Sequence, residues 1–107
     1  MMTIQIINTN SLIKIAKGTV HEMLYQSKGM TALMLSIEAG HMVEPCVMPM
    51  QVIYYVRSGN GSIIVGDEQS KITSGEIVVV NAGETRSIDA ETDMSVLAFQ
   101  FMNNNQA

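Results

Sequence analysis

The chain has 107 residues, of which 47% are hydrophobic and 15% charged, enough for one domain with a core and too few for two. Ten acidic residues against six basic ones leave a net charge of −4, which argues against a nucleic-acid module and against a surface held to anionic lipid. A lone cysteine cannot close an internal disulfide, so a stapled secreted scaffold is excluded.

In chain order, the start MMTIQIINTN has no basic residue ahead of its apolar run and no small-residue cleavage site, so no signal peptide is expected and the default location is cytoplasmic. Thr3 to Ile7 is a weak strand candidate that pairs with a partner subunit or packs at an edge. Leu12 to Lys17 is ambiguous, and Val20 to Gln26 is a second weak strand. Thr31 to Glu38 (TALMLSIE) alternates with period two and is apolar on both faces, as in a strand buried on two sides. Val52 to Arg57 (VIYYVR) is β-branched and aromatic, the composition that suits strands; Ser62 to Gly66, Glu76 to Val80 and Met94 to Phe101 read the same way.

Turn signals separate these runs. Ser58-Gly59-Asn60-Gly61 contains an Asn-Gly pair, the strongest short hairpin signal, and further turns fall at Gly66-Asp67-Glu68, Thr73-Ser74-Gly75 and Asn81-Ala82-Gly83-Glu84. No helical stripe longer than about two turns is present. Many short strands joined by tight turns predict an all-β sandwich or barrel in a single domain over 1–102, followed by a polar tail, 103–107. Low charge with high apolar content in so small a chain predicts a buried subunit interface, hence a homodimer or larger.

Nucleotide and hydrolase motifs are missing. Gly59-Asn60-Gly61-Ser62 lacks the third glycine and the following helix of a dinucleotide site, and there is no P-loop, Cys-x-x-Cys, His-Glu-x-x-His or Gly-x-Ser-x-Gly. Two histidines exist, His21 in an early strand and His41 in a loop; both read as surface or structural residues. Cys46 with His41 as base would make a catalytic dyad, against the commoner case of a cysteine that packs as a small hydrophobe. If Cys46-Val47-Met48-Pro49-Met50 is extended, Cys46, Met48 and Met50 present three sulfur atoms on one side, which suits Cu(I); the alternative is methionine packing.

The glycine and turn spacing resembles the cupin family of small β-barrels. Gly40 is followed by five residues and Cys46-Val47-Met48, then after three more by Val52, and six residues later by Gly59. Gly75 is followed by five residues and Asn81-Ala82-Gly83, then after two more by Arg86, with Ala90 three residues beyond. The glycines match both cupin motifs, over about half the chain. The resemblance implies a double-stranded β-helix, or jelly-roll barrel. At the positions where metal-binding cupins keep three histidines and a glutamate, this chain has Cys46, Met48, Arg86 and Val52. Valine offers no ligand atom and a guanidinium has no lone pair to donate, so the family's metal is not carried over and no cofactor is expected.

The resemblance places Cys46, Met48, Val52 and Arg86 at the mouth of the barrel, and period two from Val52 adds Tyr54 and Val56, with Met50 beyond the break at Pro49. That set is an apolar, sulfur-rich pocket with one cation and one phenol, fit for a small molecule with an apolar body and an anionic group. The alternative is an interior filled by Met and Tyr, with Arg86 paired to Glu84 or Asp89; Glu38 and Glu44 are further possible partners if Arg86 turns inward. Three functions follow. The leading one is a metal-independent binding or sensing domain. The others are a metal-free isomerase or lyase using Tyr54 or Cys46 as acid or base, and a Cu(I) site at Cys46, Met48 and Met50.

Overall fold

The computed structural model describes residues 4–12 and 18–102, and the tail expected at 103–107 lies outside them. A short 3₁₀ turn, Thr9–Leu12, precedes nine strands: β1 (Thr19–Gln26), β2 (Met30–Ile37), β3 (Met42–Val47), β4 (Gln51–Ser58), β5 (Asn60–Val65), β6 (Glu68–Thr73), β7 (Ile77–Val80), β8 (Thr85–Ala90) and β9 (Met94–Phe101). They form a five-stranded sheet, ordered β1-β2-β9-β4-β7, and a four-stranded sheet, ordered β3-β8-β5-β6, antiparallel throughout. This is the two-sheet sandwich expected from the strand pattern, in the jelly-roll form that the resemblance implies. No helix among the described residues is long and apolar enough to cross a membrane.

Alternation builds the core. On β4, Val52, Tyr54 and Val56 face the second sheet while Ile53 and Tyr55 face away; on β9, Val96 and Ala98 face in. The four-stranded sheet contributes Ile63, Ile72, Ile88 and Ala90. Ile63 pairs with Ile88 and Val65 with Arg86, so Arg86 shares the inward face of β8 with Ile88 and Ala90.

Several expectations need correction. The Asn60-Gly61 pair is not a hairpin turn: β4 and β5 belong to different sheets, and the segment between them is a crossover. Gly59 takes φ +85°, whereas Asn60 lacks the positive φ that the turn requires. The two-residue hairpin lies at Gly66-Asp67, where Val65 pairs with Glu68 and Gly66 adopts φ +61°. Residues 4–8 form no strand, and most of the ambiguous Leu12 to Lys17 stretch is outside the described residues. Three strands escape a reading based on apolar alternation. β3 carries Glu44 and Pro45, β6 reads EQSKIT, and β8 reads TRSIDA with its polar Arg86 and Ser87 buried.

Candidate functional site at the barrel mouth

Arg86 leaves β8 toward the interior and is 1% exposed, the largest side chain buried so completely. In the same cross-strand row it is flanked by Cys46 of β3 and Val65 of β5, and Tyr54 meets it from the opposite sheet. All three guanidinium nitrogens donate. Nε reaches the Glu84 carbonyl at 3.0 Å, Nη1 the Tyr54 hydroxyl at 3.2 Å, and Nη2 the Asn81 carbonyl at 3.4 Å. The two carbonyls belong to the loop between β7 and β8. The backbone N–H of Gly83 in that loop donates to the Met48 carbonyl at 2.9 Å, tying it to the loop between β3 and β4.

No carboxylate pairs with Arg86 among the described residues, which include every Asp and Glu of the chain. Glu84 contributes only its carbonyl, because its carboxylate accepts the Asn81 backbone N–H. Asp89 lies on the opposite face of β8. Glu38 accepts the Gly18 N–H at 2.8 Å, and Glu44 is exposed on β3. The possible protein partners of Arg86 therefore drop out one by one.

Of the five expected mouth residues, Val52, Tyr54 and Arg86 converge inside the sandwich and Met48 packs against the core beside Met50. Cys46 pairs in register with Arg86, but its side chain is exposed at the edge. The interior beneath them is packed with valine and isoleucine.

The sulfur stripe does not form as drawn. β3 ends at Val47, and the chain bends at Pro49-Met50, so the alternation that would align Cys46, Met48 and Met50 is broken. The Cys46–His41 dyad fails as well. His41 bonds through its backbone to Ala90 at one end of β8, whereas Cys46 pairs with Arg86 at the other, and five residues of strand span roughly 15 Å. The His41 ring lies beside Glu38, 3.6 Å away, and the Ala39 carbonyl. His21 is exposed on β1.

Burial pushes the Tyr54 phenol above its ordinary value of 10.0, against the opposing hydrogen bond and charge of Arg86; Cys46 adds to the rise. Tyr54 is thus a neutral hydrogen-bonding group near neutrality and a poor base. Below pH 10.0 folded and unfolded chains both keep this proton, and the stabilisation is complete. Above it the unfolded chain ionises first, so stability falls as pH rises through the folded value. An alkaline titration followed by tyrosinate absorbance should show one of the three tyrosines ionising late, together with loss of the fold. Three tyrosines titrating as one class would contradict this burial.

A groove of about 430 Å³ lies elsewhere, lined by Asn60, Lys71, Thr73, Glu76 and Glu91 among others. Its carboxylates are engaged: Glu76 accepts the Thr73 N–H at 2.8 Å, and Glu91 accepts from Asn60 and lies 4.0 Å from Lys71. Its polar residues scatter over β5, β6 and the loops after β6 and β8, and no spacing in the sequence announced it.

The architecture has known counterparts. A cupin superfamily protein from Desulfitobacterium hafniense superposes with a TM-score of 0.80 at 19% identity, over 87% of this chain and 86% of that one. An RmlC-like cupin from Desulfovibrio desulfuricans reaches a TM-score of 0.84 at 18% identity, over 92% and 97%. The chain has the cupin fold. A mutant of salicylate 1,2-dioxygenase from Pseudoaminobacter salicylatoxidans, in complex with gentisate, shares it at a TM-score of 0.75 and 18% identity, over 81% of this chain and 26% of the longer enzyme. No protein-family model and no curated protein matches the sequence.

The metal of metal-binding cupins does not fit the residues here. Val52 has no donor atom and Arg86 places a permanent cation where the ion would sit. Among the described residues no three His, Cys, Asp or Glu side chains come together as a metal site.

Proposed function

We propose that the barrel mouth binds a small carboxylate with an apolar body, without a metal, and that the domain is a binding or sensing module. One observation carries this reading: Arg86 is buried with a phenol and two carbonyls but no anion. An isolated charge in a low-dielectric site costs several kcal/mol, and carbonyl dipoles offset only part of that. Of the five N–H donors of a guanidinium, three are engaged, one on each nitrogen. The two left over belong to Nη1 and Nη2, and the Nη2 contact, at 3.4 Å, is the longest of the set. A ligand carboxylate displaces that contact and pairs with the freed edge of the guanidinium. Met48, Met50 and Val52 then supply the apolar wall. Gentisate, held by one fold neighbour, is an aromatic carboxylate with two ring hydroxyls, so aromatic acids are among the ligands that suit the fold.

Thermal denaturation with benzoate, salicylate and a branched aliphatic acid tests the proposal, with the matching amides as controls. At a hundredfold excess over Kd an acid stabilises the native state by about 2.7 kcal/mol, a rise in Tm on the order of 10 °C for a domain of this size. The amides give no shift, and Arg86→Met removes the response to the acids. A shift that survives in Arg86→Met, or none with any acid at millimolar concentration, defeats the proposal.

A further inference from the structure

We infer that Arg57, on the outer side of the five-stranded sheet, forms an anion site of its own that takes a phosphate-type oxyanion and is separate from the barrel mouth. Arg57 is the extra residue of a bulge in β4. Val56 pairs with Val96 and Ser58 with Ser95, so Arg57 has no counterpart on β9. Bulges re-aim a side chain, often beside a site. Here the side chain reaches the 3₁₀ turn Thr9–Leu12, where Nη1 donates to the Asn10 side-chain oxygen at 3.4 Å. Nε and Nη2 are shut off from solvent and have no acceptor. Among the described residues they are the only buried side-chain nitrogen or oxygen atoms left in that condition.

Buried donors are nearly always paired, so two orphans on one side chain need an explanation. Nε and Nη2 together make the side-on edge of the guanidinium, the fork that holds an oxyanion through two parallel hydrogen bonds. No protein group reaches that fork. Every Asp and Glu of the chain lies among the described residues, and none forms an ion pair with Arg57. Arg86 engages all three of its nitrogens, whereas Arg57 engages one.

The neighbouring groups favour an anion with more than two oxygens. Ser58 pairs with Ser95 and Ser95 with Ser36, which sets three serines in one row across β4, β9 and β2, beside Arg57. Directly opposed residues of antiparallel strands share a face. Ser95 is buried, and its hydroxyl donates to the Met34 sulfur at 3.0 Å, a weak acceptor. The hydroxyls of Ser36 and Ser58 have no partner among the described residues. Neighbouring strands stand about 4.8 Å apart, so an anion on the Arg57 fork comes within reach of Ser58 and Ser95. A carboxylate spends both oxygens on the fork, whereas a phosphate keeps others for these hydroxyls. The Asn10 contact is longer than an ordinary hydrogen bond and Asn10 is exposed, so the turn swings out to admit the anion and closes behind it.

Calorimetric titration of the full chain with inorganic phosphate, at fixed ionic strength, tests this. The wild type binds one phosphate per chain with saturation in the millimolar range or below, and binds acetate at least tenfold more weakly. Arg57→Gln weakens phosphate binding at least tenfold. Arg57→Lys keeps the charge and most of the bulk, which protects the fold, but lacks the fork, and it too weakens binding at least tenfold. Arg86→Met binds phosphate as the wild type does, which separates this site from the mouth. No saturable binding up to tens of millimolar phosphate overturns the inference. So does an affinity unchanged in Arg57→Gln or Arg57→Lys, an affinity lost in Arg86→Met, or acetate bound as tightly as phosphate.

Discussion

Gly61→Ala is expected to lower the melting temperature by at least about 12 °C, from a loss of about 3 kcal/mol at roughly 4–8 °C per kcal/mol. Gly61 lies buried where β5 pairs with β8, opposite Ala90. A Cβ there would run into the Asp89 carbonyl oxygen and stand 2.8 Å from the Met94 sulfur and 3.1 Å from the Ala90 Cα. The methionine end can swing aside. The backbone of β8 cannot, because it is held on both sides by β3 and β5. Gly29→Ala is the control: it has no positive φ and no atom within 4 Å, so it should stay within about 0.5 kcal/mol of the wild type. Paired thermal melts measure both, and a Gly61→Ala melt within a few degrees of the wild type would refute the close approach.

The second large effect concerns the two ways of removing Arg86. Arg86→Ala empties the largest fully buried side-chain volume and leaves the Tyr54 hydroxyl without its donor. Arg86→Met loses the same hydrogen bonds but refills much of the space and removes an unpaired charge from the interior. The methionine variant should therefore exceed the alanine variant by about 2–5 kcal/mol, the usual span for emptying a buried site of this size. Against the wild type it should be neutral or more stable, because a buried charge without an ionic partner is often replaced by an apolar side chain at no loss. Denaturant titration gives all three free energies. If Arg86→Met falls more than about 2 kcal/mol below the wild type, the phenol and carbonyls already satisfy the guanidinium, and the case for an anionic ligand weakens with it.

Strands that announce themselves by alternating apolar residues were legible. β4 and β9 lie close to where VIYYVR and MSVLAFQF place them, because each sits centrally in a sheet and needs an apolar inward face. β6 was hidden because an edge strand gains from being polar, and β8 because its inward face is led by an arginine. The Asn60-Gly61 misreading has a different source. A turn signal is local, whereas the question of whether two strands share a sheet is decided by pairings with β8 and β9 much further along the chain, such as Gly61 with Ala90 and Gln51 with Phe101. At the mouth, the inward aim of Val52, Tyr54 and Arg86 followed from the cupin resemblance and period two. The acceptors that hold Arg86 did not, since backbone carbonyls of Asn81 and Glu84 are invisible in side-chain chemistry.

The strand order also constrains how the chain must be made. In the five-stranded sheet β9 lies between β2 and β4, and in the other sheet β8 lies between β3 and β5. A nascent chain that has emerged only as far as β7 can form the β1–β2, β4–β7 and β5–β6 pairs, but neither sheet can be completed. The apolar faces of those pairs stay open to collision until the β8–β9 segment leaves the ribosome and enters the centre of both sheets. Pairings between such distant segments close slowly, in milliseconds to seconds, which makes the interval before that segment emerges the stage of greatest aggregation risk. Removing Met94–Phe101 would thus leave the five-stranded sheet in two separate halves, β1-β2 and β4-β7.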